Sequence, residues 1–179
     1  MFKKVYKKEI KKPENITFNI EQIPGESMAV RLSQIDKVLG YNNDFELYSN
    51  QYIPLIERAS IYDRLEIQGE LDSLTSGGAI LHINVEDEKP LNKEQFKRII
   101  NYARELKTVY FAINYAYSEC ENGDYTIGKH EQCPICQSKI VQQYTRVVGF
   151  ITPVSSWNST RRSFEYENRK FYKNNEITE

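Results

Sequence analysis

An α/β fold follows from three features of the sequence. Residues 79–115 run as apolar strand, amphipathic helix and apolar strand; two helical patterns precede them; and all three cysteines fall in one turn-rich stretch after them. Two strands joined through a helix should lie parallel with a right-handed crossover. At 179 residues the chain can bury one core and carry a small appendage. Hydrophobic residues make up 40% and charged residues 27%, the balance of a folded soluble protein and not of a disordered one. The 24 basic and 25 acidic side chains nearly cancel, which argues against direct nucleic-acid binding. No apolar run reaches the roughly 20 residues a membrane span needs, and the first residues lack the apolar core of a signal peptide. The expected location is therefore the cytoplasm. In that reducing setting three cysteines suggest a metal or redox site before a disulfide framework.

Taken in order, Lys3, Lys4, Lys7, Lys8, Lys11 and Lys12 read as a solvated terminus. Ile16 to Gln22 reads as a short strand, broken by Pro24-Gly25. Ser27 to Leu39 has helical periodicity, with Met28, Val30, Leu32, Ile35, Val38 and Leu39 as its apolar face and Gly40 as its stop. Tyr41 to Gln51 is polar and aromatic and reads as a structured loop. A second helix is expected from Pro54 to Leu74, turning Leu55, Ile56, Ile61, Tyr62, Leu65 and Leu71 inward, slightly weakened by Gly69. Ser76-Gly77-Gly78 ends it before a buried strand, Ala79 to Val85. Asn92 caps a third helix with Gln95 three residues on, and Phe96, Ile99, Ile100, Ala103 and Leu106 share one face. Thr108 to Tyr115 is the second strand of the unit.

Cys120 is followed at a distance by Cys133-Pro134-Ile135-Cys136. A Cys-x-x-Cys turn brings two thiolates to one ion, and tetrahedral zinc needs four ligands. Cys120 supplies a third, and the fourth is open between Asp124 and His130. A structural zinc knuckle is favoured over a redox-active dithiol, since the pair does not open a helix after a strand, and over a knuckle that has lost its metal.

In Arg146-Val147-Val148-Gly149-Phe150-Ile151 a glycine interrupts β-favouring positions. Locally this reads as a bulge or a close backbone approach. The Asn50-Gln51 loop and the Gly77-Gly78 amides are candidates for facing a substrate, against the plainer reading that they shape loops. His82 reads as a satisfied core residue, Trp157 as packing, and Arg161, Arg162 and Arg169 as solvated or paired with acidic neighbours. Glu21 and Glu26 are carboxylates near a chain turn, with no general-base role assigned.

Residues 146–150 resemble the radical loop of glycyl radical enzymes, whose core reads Arg-x-x-Gly followed by Tyr or Phe. Glycine suits that chemistry because loss of a Cα hydrogen leaves an electron delocalised over a planar centre. Phe18 to Ser27, Leu47 to Leu55, Ser76 to Val85, Tyr110 to Tyr115, the cysteine segment and Arg146 to Arg169 are similar, in that order, to the anaerobic (class III) ribonucleoside-triphosphate reductases. The resemblance implies that residues 1–116 are the C-terminal part of a ten-stranded α/β barrel, 117–144 a zinc knuckle, and 145–179 the glycyl radical loop and tail. It implies a radical on Gly149, installed by an activating enzyme that uses S-adenosylmethionine and an iron–sulfur cluster. It also implies zinc on Cys120, Cys133 and Cys136, a ribonucleoside triphosphate substrate reduced to a deoxyribonucleotide for DNA synthesis, and a dimer in the assembled enzyme.

Two departures qualify this. The family knuckle carries another Cys or His soon after its first cysteine, where this chain has Asn122-Gly123-Asp124. No cysteine lies outside the knuckle, so the cysteine that would carry the transient thiyl radical is expected on an N-terminal portion of the reductase. The alternatives are a replaceable radical-loop subunit and a non-catalytic zinc-knuckle fragment.

Overall fold

A computed structural model describes residues 17, 19–22, 25–41, 44–86 and 89–177. Helices α1 (Glu26–Val38) and α2 (Ile61–Asp72) precede the unit β1 (Leu81–Val85), α3 (Lys93–Glu105) and β2 (Phe111–Tyr115). Strands β3 (Tyr117–Cys120), β4 (Tyr125–Ile127), β5 (Ile140–Arg146) and β6 (Ile151–Pro153) follow. The chain then forms a 3-10 turn (Val154–Ser156), a π-helical segment (Arg161–Tyr166) and a last 3-10 turn (Asn174–Ile177). The lysine run of the first twelve residues lies outside the described residues.

The parallel pair is present as expected, in register from Leu81 opposite Phe111 to Val85 opposite Tyr115. Alternation along β1 sends Leu81, Ile83 and Val85 into a core with Ile61 and Leu65 of α2 and Ile99 and Ala103 of α3. His82 and Asn84 take the opposite face, where Asn114 of β2 meets them. The four remaining strands form an antiparallel sheet in the order β4-β3-β5-β6. A second core joins Ala116, Val147, Val148, Val154, Trp157, Tyr166 and Phe171. The C-terminal segment then returns to the first core, where Tyr172 pairs with Val85 and buries its ring. Among the described residues no helix is long and apolar enough to cross a membrane.

Helix α3 starts where the sequence places it, with reciprocal bonds between Asn92 and Gln95. Its inward face is rotated, however. Gln95, Ile99 and Ala103 are buried, while Phe96 and Ile100 are exposed. The expected strand over residues 16–22 reduces, in its described part, to one bridge between Glu21 and Gly78. The second helix begins at Ile61 and not at Pro54, because Ser60 caps it in a capping box with Asp63. Residues 53–57 instead form turns whose carbonyls accept from the buried Arg64 guanidinium: Ile53 at 2.7 Å, Pro54 at 3.0 Å and Glu57 at 2.7 Å.

Helix α1 ends as predicted. Gly40 takes a left-handed conformation, its amide bonds to Lys37 and that of Tyr41 to Asp36. Of its expected apolar stripe only Val30 is buried, and Val38 is exposed with the rest. Met28 (45%), Leu32 (43%), Ile35 (40%) and Leu39 (60%) are exposed on one side, while Ala29, Val30 and Ser33 are the buried contacts.

Gly69 is more than a weak point in a helix. A Cβ there would sit 1.8 Å from the Leu106 carbonyl oxygen, so α2 runs against the end of α3 at backbone distance. Gly69→Ala gains about 1 kcal/mol of helix propensity and incurs an overpacking penalty of about 3 kcal/mol. Urea denaturation should therefore show a net loss of stability, opposite to the usual gain from this exchange in a helix.

His82 gives the fold a pH dependence. Its burial first, then the charges of Arg169 and Arg146, lower its pKa from 6.5 to about 4. The unfolded chain binds this proton more readily than the folded one between those values. Stability should thus be intact above about pH 6.5 and decline as pH falls toward 4, by about 3 kcal/mol at the limit. His82→Asn should flatten this part of a stability-versus-pH curve measured by denaturant titration.

Candidate functional site

The hairpin β3–β4 and the turn 133–137 converge on one point. Gly123, with φ 83°, lets the hairpin close so that its amide reaches the Cys120 carbonyl, and the Cys120 amide bonds to the Asp124 carbonyl. Gln137, with φ 60°, closes the second turn onto the Cys133 carbonyl. Sγ of Cys120, Cys133 and Cys136 and a carboxylate oxygen of Asp124 all lie within 4.8 Å of one another. Cys120 and Cys136 are 3.7 Å apart, and Asp124 Oδ2 lies 3.6 Å from Cys120 and 3.7 Å from Cys133.

Tetrahedral zinc with bonds of about 2.3 Å to sulfur and 2.0–2.2 Å to oxygen needs ligand separations of about 3.5–3.8 Å. The Cys120–Cys136, Cys120–Asp124 and Cys133–Asp124 separations fit that figure, and the remaining pairs lie within 4.8 Å. Their surroundings also suit thiolates: Asn122 Nδ2 lies 3.4 Å from Cys136 Sγ, the Asp124 amide 3.4 Å from Cys120 Sγ, and the Ser138 hydroxyl 3.1 Å from Cys136 Sγ. Hydrogen bonding from Ser138 and from the Asp124 and Asn122 amides holds the Cys120 thiol below its ordinary pKa, while burial raises that of Cys133. His130 is not part of the cluster. Its Nε2 lies 2.8 Å from the Ile127 carbonyl, so the ring braces the loop after β4.

Gly149 does not lie in a strand. Arg146 ends β5 and Ile151 begins β6, so residues 147–150 are the loop of a hairpin. Val147 and Val148 are buried in the second core, while Gly149 is exposed and Phe150 is 81% exposed. Neither local reason for a glycine applies. Among the described residues, and apart from its two chain neighbours, no atom lies within 4 Å of where a Cβ would stand, and φ is outside the left-handed range. Each other glycine takes positive φ or has a neighbour within 3.2 Å of a built Cβ.

The loop is tied to the C-terminal segment. The Arg146 guanidinium donates to the Gly149 carbonyl at 2.5 Å, and Arg169 donates to the Arg146 carbonyl at 2.7 Å. Arg169 and Arg161 both pair with the buried carboxylate of Glu165, and Arg161 donates to Asn50 Oδ1 at 2.7 Å. Arg162 stays exposed and donates to the Ser155 carbonyl. Trp157 packs in the second core, with the Arg169 guanidinium 5.1 Å from its ring centre. Glu165 was not singled out from the sequence. Its signal was there, in arginines four residues before and after it, at the spacing that pairs side chains on a helix.

Beneath the loop lies a cavity of about 270 Å³, lined in part by Leu47, Asn50, Gln51, Leu55, His82, Val147, Val148 and Phe164. Two of the four suggested substrate contacts thus meet the loop's base. Gln51 is committed to the fold, since it accepts from the His82 amide at 2.8 Å and donates to the Ile80 carbonyl at 3.0 Å. Gly77 and Gly78 do not line the cavity. The Gly77 amide bonds to the Ile20 carbonyl and the Gly78 carbonyl accepts from Gln22, which fastens residues 20–22 to the turn before β1. A side chain at Gly77 would strike Asn19, 2.3 Å away.

Comparison with known proteins agrees with this architecture. Residues 2–172 match the family model described as anaerobic ribonucleoside-triphosphate reductase. One solved structure, an anaerobic ribonucleotide reductase, is 38% identical with a TM-score of 0.77, over 96% of this chain and 26% of that one. The Thermotoga maritima anaerobic ribonucleotide reductase with glycerol in the active site is 38% identical at a TM-score of 0.68, over 92% of this chain and 25% of that one. The same enzyme in complex with dATP and CTP gives 38% and 0.69, over 90% and 25%. No curated protein sequence matches. The 179 residues therefore span about a quarter of the length of the reductases they match. The chain belongs to the anaerobic ribonucleoside-triphosphate reductase family.

Proposed function

We propose that this chain is the C-terminal, glycyl-radical-bearing part of an anaerobic ribonucleoside-triphosphate reductase, an oxidoreductase that converts ribonucleotides to deoxyribonucleotides. The observation that carries the reading is Gly149 itself. It sits at the tip of a braced hairpin where neither backbone conformation nor packing among the described residues calls for glycine. A demand from chemistry explains it: an unpaired electron on Cα delocalises over the flanking amide and carbonyl only if the centre can flatten, which a side chain opposes. The exposed loop is also accessible to an activating enzyme.

In this reading a carbon radical, generated by an activating enzyme from S-adenosylmethionine, takes a hydrogen atom from Gly149 Cα and leaves one electron there. The thiyl cysteine and most of the nucleotide site come from an N-terminal portion of the reductase. The exposed stripe Met28, Leu32, Ile35 and Leu39 on α1 fits that arrangement, because such a stripe is ordinarily covered by further protein. The cavity beneath the loop would form one wall of the nucleotide site, with Asn50 at its edge.

Cys120, Asp124, Cys133 and Cys136 would hold a structural zinc ion that fixes the sheet carrying the loop. A set of three thiolates and one carboxylate leaves no open position, so the ion would supply rigidity and no chemistry.

Two measurements test these assignments. Anaerobic incubation with an active activase, S-adenosylmethionine, reductant and the N-terminal portion should produce a glycine-centred electron paramagnetic resonance doublet, absent in Gly149→Ala. A silent wild-type sample with a demonstrably active activase would remove the radical assignment. Elemental analysis should find one zinc per chain. Asp124→Ala should weaken zinc binding at least about tenfold, and His130→Ala should leave the affinity unchanged.

A further inference from the structure

We propose that Arg146 tunes the electronic state of Gly149, beyond closing the loop. The inference rests on the reading of Gly149 as the radical position and names a second residue acting on the same centre. Its basis is the 2.5 Å hydrogen bond from the Arg146 guanidinium to the Gly149 carbonyl oxygen. A glycine-centred radical is stabilised from two sides: the amide nitrogen donates electron density and the carbonyl withdraws it. A cationic donor on the carbonyl oxygen strengthens the withdrawing side, draws spin toward the C–O bond and favours the planar centre.

The placement of Arg146 supports this role. As the last residue of β5 it opposes Ile151, so its backbone is fixed by the sheet. Arg169 holds its carbonyl, and Arg169 is anchored through the buried Glu165 to Arg161 and Asn50. The side chain then needs to reach only three residues along the chain. Val147 and Val148, just before Gly149 in the chain, are buried beneath the loop. Once the loop is covered by further protein, the bond would lie in a medium less polar than water, where a charged donor acts more strongly.

A loop clamp and an electronic tuner predict different results. Three variants separate them: Arg146→Lys keeps the cation, Arg146→Gln keeps a neutral donor, and Arg146→Met keeps neither. The hydrogen bond can be read first in the unactivated chain. Gly149-Phe150 is the sole Gly-Phe pair in the sequence, so labelling glycine with carbonyl ¹³C and phenylalanine with ¹⁵N gives a single correlated resonance. That resonance should move upfield in Arg146→Met.

In the activated complex, Arg146→Met should yield about tenfold fewer spins per chain at fixed activase, the loss of one hydrogen bond to a charged group. Its α-proton splitting should also differ from wild type. Arg146→Lys should recover most of the signal and Arg146→Gln little, while zinc content stays constant in all three. A wild-type doublet whose intensity and splitting are unchanged in Arg146→Met overturns the tuning role alone. Equal recovery by Lys and Gln reduces Arg146 to a clamp and overturns it too. No doublet in wild type, with an activase proven active, overturns the radical reading and the tuning role together.

Discussion

The carboxylate of Glu165, buried between the guanidinium groups of Arg161 and Arg169, is the interaction on which the arrangement around the Gly149 hairpin depends. Burying one anion and two cations is unfavourable unless every charge finds partners. Here the surplus positive charge is met by Asn50 Oδ1, by the Arg146 carbonyl and by the face of Trp157. Each partner belongs to a different stretch of chain. The π-helical segment thereby joins the loop at 48–51, the end of β5 and the turn after β6. A wider helical turn is a common way to place functional side chains, and here it carries the central carboxylate.

A second constraint acts from the other end of the same sheet. β5 lies between β3 and β6, so it connects the cysteine cluster to the hairpin that presents Gly149. At one end, two tight turns bring three sulfurs and a carboxylate within 4.8 Å of one another. At the other, two buried valines and Arg169 hold the loop by its base and leave its tip clear. A metal at the first end would stiffen the strand that positions the second. The two ends would then act as one mechanical unit.

Much of the framework was legible in local sequence. The parallel pair, the Asn92–Gln95 cap and the Gly40 stop depend on interactions within a few residues or on strand periodicity, and they appeared where expected. The Ser60–Asp63 cap was equally local and would have corrected the start of α2. The facing of the helices was not legible. Periodicity identifies an apolar stripe but not what covers it, which is why the α1 stripe lies open and α3 turns Gln95 inward. The close pass of Gly69 over the Leu106 carbonyl joins residues 37 positions apart, and no local rule could foresee it.

Sequence by itself determined the residue types and their order: three cysteines with two candidate fourth ligands, and an Arg-x-x-Gly-Phe core after them. Those are covalent facts, and family resemblance could be read from them directly. Tertiary structure alone decided between Asp124 and His130 as the residue within reach of the sulfurs, because the choice turns on where two loops meet. It alone moved Gly149 from a supposed strand to the tip of a hairpin where, among the described residues, no neighbour excludes a side chain. It also gathered Arg161, Glu165, Arg169 and Arg146 behind that tip. Buried charges are placed by the requirement that they offset one another, a condition that exists only once distant segments have met.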